Sequence, residues 1–301
     1  MSLERYRADL HYHGPIGFEP YWLRVQGYRS KNLLKEIADA GFNKGLNVLA
    51  LTSVTHQTDD KGVIVRNSIH DRIGYLAENY LSDLNKTKGY SADKLGPNSL
   101  VVDNGKNRLY LISGQTSIVK EGDKRLDYLV VGSNSVPNFM NLRDTQKYCM
   151  DNGLLHGLEH PNLEVHFGIG LEMAKDYVEK ADFVETHNAQ LMWPGFMKGL
   201  PKVGKYTRIN NEKAKNFAYV YNKPGIATSD GHMIESAGAA YIEFGKVLLD
   251  TDKEDKLLET LSSVVCLNHF NAFEGYDSPI NWLEWVSKFN WGIRKERYKE
   301  E

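Results

Sequence analysis

Two periodicities take turns along this chain. Residues 5–12 alternate apolar and polar positions and read as a strand. Residues 31–45 then carry apolar residues at helical spacing, with Gly41 near the stop. Asn47 to Leu51 is a short apolar strand. Residues 69–86 form an amphipathic helix, with Ile69, Ile73, Leu76, Ala77, Tyr80, Leu81 and Leu84 on one face. A β-rich stretch follows: Ser99–Val102 and Arg108–Ile112 flank Asn104-Gly105 as a hairpin, and Leu126–Gly132 is a further strand. From there the alternation resumes. Helices are predicted at 143–152, 170–180, 210–222 and 253–266, and strands at 154–159, 182–187, 225–229 and 239–244. A last helix over 279–298 carries Trp282, Trp285 and Trp291 at nearly helical spacing. It is expected to pack on the rest, and an exposed face of this kind would make a homo-oligomer contact.

Repeated strand–helix units predict a parallel barrel or a doubly wound sheet. The chain holds neither G-x-G-x-x-G nor a phosphate-binding G-x-x-x-x-G-K-[ST], which weakens nucleotide-cofactor readings. No linker, repeat or low-complexity tract divides it, so residues 1–301 are expected to form one domain.

Composition changes this picture little. Hydrophobic content of 41% and charged content of 25% are those of an ordinary globular protein. A net charge of −2 gives no reason to expect nucleic acid or an anionic membrane as a bulk partner. Only two cysteines occur, Cys149 and Cys266, and neither belongs to a C-x-x-C pair, so disulfides and thiolate metal sites are not expected. The polar Met1–Arg5 start and the lack of a long apolar run predict a cytoplasmic protein.

In a β/α barrel, chemistry sits at the C-terminal ends of the strands. Those ends carry His11 and His13; Thr52, Ser53 and, slightly later, His56; Gly114-Gln115-Thr116; Glu159-His160-Pro161; Glu185-Thr186-His187-Asn188; and Ser229-Asp230-Gly231-His232. Of ten histidines, six fall at such ends, which satisfied core histidines alone would hardly produce. Imidazole and carboxylate donors without thiolate suit Zn, Mn or Fe, and such a site acidifies water near neutral pH. Metal-assisted hydrolysis is the indicated chemistry.

D-L-H-Y-H (9–13), A-L-T (50–52), S-G-Q (113–115), H-P (160–161), E-x-x-N (185–188) and S-D-G-H (229–232) stand in an order that resembles the PHP (polymerase and histidinol phosphatase) superfamily over roughly residues 5–265. The resemblance implies an α/β fold, a distorted TIM-like barrel of about seven β/α units, and two or three divalent metals; one to three are expected in this chain. It implies hydrolysis of a phosphate ester: a small phosphomonoester, a nucleotide or a nucleic-acid end. By position, His11, His13 and Asp230 would hold one metal, His160 would belong to a second and His232 to a third. His160, His232 and Asp230 would do the catalytic work. Asp9 would orient a ligand histidine from behind, with Glu185 nearby.

Two departures from the family pattern stand out. Where the family has T-D-H, this chain has Thr52-Ser53-Val54, leaving His56 as a replacement ligand if its loop bends inward. Where the family has a bridging glutamate, it has Gln115, a neutral carbonyl donor at most. A catalytically inactive PHP-fold protein that binds a ligand, RNA or a protein is therefore the alternative. Substrate contacts are expected from Arg24 and Arg29, which share a loop with Tyr21, Trp22 and Tyr28, and from Asn188. The run Met192–Arg208, whose Gly and Pro argue against a helix, reads as an anion-recruiting lid with Lys198 and Arg208 as its contacts.

Overall fold

The structure, a computed structural model, describes residues 5–14, 32–54, 70–164, 167–190, 201–245 and 251–278, together with 280, 281, 283 and 284. Its strands are β1 (Arg5–Tyr12), β2 (Val48–Val54), β3 (Ser91–Gly96), β4 (Ser99–Asp103), β5 (Arg108–Glu121), β6 (Lys124–Val131), β7 (Leu155–Leu158), β8 (Phe183–Asn188), β9 (Gly225–Thr228), β10 (Tyr241–Gly245) and β11 (Asn271–Phe273). The helices are α1 (Leu33–Asn43), α2 (Arg72–Asn85), α3 (Leu142–Asp151), α4 (Leu171–Ala174), α5 (Pro201–Val220) and α6 (Glu254–Cys266). None of the described helices is long and apolar enough to cross a membrane.

The strands run in the order β11-β10-β1-β2-β5-β6-β7-β8-β9, a nearly closed, distorted α/β barrel. β1, β2 and β5 are mutually parallel, as are β7, β8 and β9. β6 runs antiparallel between β5 and β7, and β10 antiparallel to β1. The β3–β4 hairpin sits off this path, against β5. The residues after β9 close the barrel on β1. Asp230 N donates to His11 O (2.7 Å), Gly14 N donates to Gly231 O (3.0 Å), and Tyr12 and Gly231 form a parallel bridge.

Binary patterning sorts the two layers. Ala8, Leu10, Val48, Ala50, Ile112 and Phe183 fill the interior, and Leu257, Leu261 and Val264 of α6 join them. Leu49, Leu51, Leu109 and Leu111 point outward on to Leu34 and Ile37 of α1 and Leu76 of α2. Asn32, Asp71 and Asn141 start α1, α2 and α3 by accepting from the backbone N–H three residues on.

Three elements differ from the sequence expectation. Residues 201–208 are helical, because Pro201 opens α5, where its missing N–H costs nothing. Gly114-Gln115-Thr116 lies within β5 rather than at its end, since β5 runs on to Glu121 along β6. The helix expected at 170–180 divides into α4 and a single 3-10 turn at Val178–Lys180, with Asp176 N and Tyr177 N bonding back three residues to Met173 O and Ala174 O. The helix expected over 279–298 lies almost wholly outside the described residues.

Candidate metal centre

A one-residue irregularity aims the first two histidines. Ala8 pairs with Val48 but Tyr12 with Leu51, so β1 carries one extra residue between Asp9 and Tyr12. Without it the alternation of the strand would put Asp9 on the face of His11. Instead Asp9, opposite the outward-facing Leu49, accepts from the backbone N–H groups of Ser229 (3.1 Å), Gly238 (2.9 Å) and His11 (3.4 Å). Asp9 thereby ties strand backbones together, among them that of His11. Burial pushes its carboxyl up to about 6, against those hydrogen bonds.

His11 and His13 are both buried, and their Nε2 atoms stand 3.1 Å apart. Each ring is fixed through its other nitrogen. His11 Nδ1 donates to Glu185 Oε1 (2.8 Å), and His13 Nδ1 donates to Thr52 O (2.9 Å). Both Nε2 atoms are thereby left to face Asp230 Oδ1, 3.5 Å from His11 and 3.0 Å from His13. Ligand atoms of His11, His13 and Asp230 all lie within 4.8 Å of one another. His232 stacks on His13 with ring centroids 4.4 Å apart, and its Nε2 is 3.8 Å from Asp230 Oδ1.

Positive charge is favoured on His11 and opposed on His232. Burial opposes charge on His11, yet Asp230, Glu159 and Glu185 together raise its pKa well above the ordinary value. Burial likewise opposes charge on Asp230, but His11, then His13 and His232, hold its carboxyl well below the usual range. Burial and the neighbouring His13 keep His232 well below its usual value, and Asp230 only partly offsets them. Asp230 and His160 both adopt positive φ, 46° and 25°, a region uncommon outside glycine although Asp and His enter it more readily than most residues. Such strain persists where the surroundings dictate it, commonly at functional sites.

Glu185 supports the group from β8. Besides His11 it accepts from His160 N (2.7 Å), Asn188 Nδ2 (3.3 Å) and the Thr228 hydroxyl. Burial pushes its carboxyl up, but His11 and then His160 hold it below the ordinary range. Asn188, expected to touch substrate, instead donates to Asp230 Oδ2 (2.9 Å) and to Glu185, so its amide is spent on orienting carboxylates. Gln115 also departs from expectation. Its Nε2 donates to Val136 O (2.7 Å) and its Oε1 accepts from Val136 N (3.1 Å), so the oxygen foreseen as a metal ligand braces a loop. Ser53 Oγ donates to Gly114 O (3.3 Å).

His160 and Glu159 follow β7. His160 Nε2 lies 3.4 Å from Glu159 Oε1, which is 3.5 Å from His11 Nε2. Burial alone would lower the His160 pKa, but Glu159 above all raises it to about 9. Asp127 on β6 joins these two within 4.8 Å. Its carboxyl is pushed up to about 7, by burial first and by Glu159 next. Sequence reasoning missed Asp127 because β6 runs against the parallel strands. Its N-terminal half, not its C-terminal end, reaches the mouth, and Asp127 is one step beyond the Tyr128–Leu158 pair. A signal was present: an acid between Leu126 and Tyr128, both buried. Arg72 was missed as well. It is buried, donates to His13 O, and lies near enough to His232 to oppose its protonation.

Elsewhere the placement is simple. His187, beyond an irregularity in β8, bonds Gly275 O (2.5 Å) and Asn211 (3.3 Å), away from the mouth. Arg208 lies on the exposed surface of α5, its guanidinium 5.5 Å from the Tyr276 ring centre. Cys149 and Cys266 are free thiols. His56, Arg24, Arg29 and Lys198 lie outside the described residues.

A distorted barrel whose parallel strands end in buried histidines and carboxylates is the class these observations define. Residues 208–265 match the family described as PHP-associated. Among solved structures the chain is similar to PsfC from Pseudomonas syringae, at 14% identity and a TM-score of 0.55, over 97% of this chain and 99% of that one. It is also similar to the lesion-specific endonuclease PfuEndoQ from Pyrococcus furiosus, at 12% identity and a TM-score of 0.50, over 87% of this chain and 56% of that one. No curated protein matches by sequence. The family match thus rests on residues 208–265, and the two structures show that the chain shares their fold.

Proposed function

We propose that this protein is a metal-dependent phosphoesterase whose divalent cation, Zn, Mn or Fe, is held by His11, His13 and Asp230. One observation carries the reading. Two buried imidazole nitrogens, each with its partner nitrogen already donating, point at one another across 3.1 Å beside a carboxylate. Two neutral imidazoles so placed would repel; a proton on His11 relieves this when no ion is bound, and a shared cation would take that proton's place and be coordinated by both nitrogens. When bound, the ion polarises a phosphoryl oxygen and acidifies water.

The chain's own residues supply the rest. Glu185 and the Thr52 carbonyl hold the two imidazoles in the tautomer that leaves Nε2 free. Asn188 fixes the second oxygen of Asp230. His232 is kept neutral and stacked at the mouth, where it accepts a proton or serves as a further ligand. His160, in the same mouth, is the further ligand nearest Glu159. The substrate class is a phosphate ester: a small phosphomonoester, a nucleotide or a nucleic-acid end. Similarity in fold to a named endonuclease supports the last of these.

The test is metal analysis joined to hydrolysis. Protein purified without chelator and supplied with Mn or Zn is expected to retain metal and to cleave p-nitrophenyl phosphate or its bis ester. Asp230→Asn and His13→Ala are expected to lower both metal content and hydrolysis, the latter by about 100-fold or more. Failure to take up metal, or hydrolysis indifferent to both substitutions, would overturn the reading. A fully loaded protein that cleaves neither ester would point to the inactive, ligand-binding alternative.

A further inference from the structure

The β5–β6 hairpin outruns its neighbours at the mouth. Among the described residues, β2 pairs with β5 as far as Val54↔Thr116 and β7 with β6 as far as Leu158↔Tyr128, yet the hairpin continues to Glu121 and Lys124. Directly paired residues share a face, so Thr116, Ile118 and Lys120 of β5 stand beside Leu129, Asp127 and Arg125 of β6. This is the interior face: Leu129 belongs to the barrel core, and the Thr116 hydroxyl reaches Glu159. Lys120 and Arg125 are therefore opposite one another on the side that overhangs the mouth. Lys120 is exposed and Arg125 half-buried. Like charges so placed repel, and the ion pair of Arg125 with Asp127 is a long one of 3.9 Å. An anion between the two cations would turn this repulsion into attraction.

An aromatic ring lies beside them. Phe167, in the loop after β7, is 45% exposed. Its φ is 64°, a region that a bulky side chain rarely enters. The backbone holds it at the rim. Phe167 O accepts from Asp127 N (2.9 Å), and Gly168 packs so closely that a Cβ there would lie 2.5 Å from His160 O. The Arg125 guanidinium stands 4.5 Å from the ring centre, a cation–π contact that steadies the ring without covering it. An accessible ring next to two cations is how single-stranded nucleic acids are held: a base stacks on the ring, and the adjoining phosphate meets the positive charges.

We propose that Phe167, Arg125 and Lys120 bind one nucleotide unit of a single-stranded nucleic acid, its base on the Phe167 ring and its phosphate between Lys120 and Arg125. As a statement about substrate, this rests on the mouth being a phosphoesterase site, and it narrows the substrate to a nucleic-acid end. The binding itself does not depend on that reading. Every base has a π-face, so the platform selects a class of ligand and not a sequence. The competing arrangement is a phosphate held by the two cations alone, with no part for the ring.

Fluorescence anisotropy separates these. The full chain is titrated against a dye-labelled single-stranded oligodeoxynucleotide of about ten nucleotides, with EDTA present to prevent cleavage. A fully abasic oligomer of the same length keeps the phosphates and removes the bases, and is expected to bind about tenfold more weakly or worse. Phe167→Ala is expected to weaken binding of the base-bearing oligomer to a similar extent, and Phe167→Trp to preserve it. Lys120→Gln is expected to reduce the slope of log Kd against log salt by about 0.7, the loss of one phosphate contact, whereas Phe167→Ala leaves that slope in place. The comparison of the two oligomers needs only the wild type, so it stands even if a variant fails to fold. Equal affinity for the two, or no binding of either, would overturn the inference. Metal-dependent hydrolysis together with equal affinities would overturn it and leave the phosphoesterase reading intact. Base-dependent binding by a protein that takes up no metal would support the platform and overturn that reading.

Discussion

Gln115 holds the Val136 backbone with both ends of its amide, accepting at Oε1 and donating from Nε2. A carboxylate can perform only the first of these. Gln115→Glu would set an anionic oxygen against the Val136 carbonyl in a fully buried position. Restoring the acid that the PHP pattern has here is therefore expected to destabilise the protein, by about 1–3 kcal/mol, without adding a metal ion. Urea melts and elemental analysis of the variant check this; a stable variant holding an extra ion would contradict it. The same limit explains what the sequence reveals at this scale. His11, His13, Asp230, His232 and His160 are legible because residue type and strand-end position suffice to bring them to one mouth. Asp9, Asn188 and Gln115 are not, because a polar side chain's partner depends on tertiary neighbours. Asp9 finds three N–H groups, two of them from residues more than 200 positions away.

Strand and helix positions follow from periodicity, but strand direction and register do not. Nothing in Leu126–Val131 says that β6 runs opposite to β5 and β7, and this reversal is what carries Asp127 to the mouth. The extra residue in β1 is equally silent in the sequence, yet it decides which side chains face inward. The same packing of β6, β7 and α3 contains a titratable device. Gln146 Nε2 donates to the Tyr128 hydroxyl oxygen (3.1 Å), so Tyr128 gives its own hydrogen to His156 Nδ1 (2.6 Å). His156 thus carries its proton on Nε2, 3.8 Å from Asp182. Protonating Nδ1 would confront a donor with a donor. Burial lowers the His156 pKa below 6.5, Asp182 opposes this, and Lys223 adds to it. In the unfolded chain the ring protonates near its ordinary value, so below about pH 6.5 the unfolded state binds more protons. This group's contribution is full above that pH and is lost as pH falls toward the depressed folded value. Urea melts at about pH 8 and about pH 5.5 are expected to differ less in His156→Gln than in the wild type. An equal or larger difference in the variant would show that His156 does not bear on acid stability.

At the scale of the whole molecule, the barrel closes through the candidate site itself. The lower half of β1 is paired with β10, but beyond Ala8 its free edge is met by the residues following β9. The backbone bonds of that seam are Asp230–His11 and Gly14–Gly231, reinforced by Asp9 and the Ser229 hydroxyl. His11 and His13 stand on one side of it and Asp230 on the other. A cation on these three residues joins the two edges that the sheet leaves least connected, so binding should report on closure. Because the unfolded chain cannot assemble the three donors, binding stabilises the native state by mass action, by about 2.7 kcal/mol at a free-metal concentration a hundredfold above Kd. Chelation is expected to lower Tm, metal addition to restore it, and Asp230→Asn to abolish the response. Hydrogen exchange gives the effect a location. The amides of Gly14 and Asp230, which form the seam, are expected to exchange more slowly in the loaded protein. Local opening of the β3–β4 hairpin, which lies off the barrel path, should change little. A rise in Tm with no added protection at the seam would mean that metal stabilises the protein elsewhere. Selective protection there would tie ion binding to closure of the barrel, and so make the same residues responsible for chemistry and for shape.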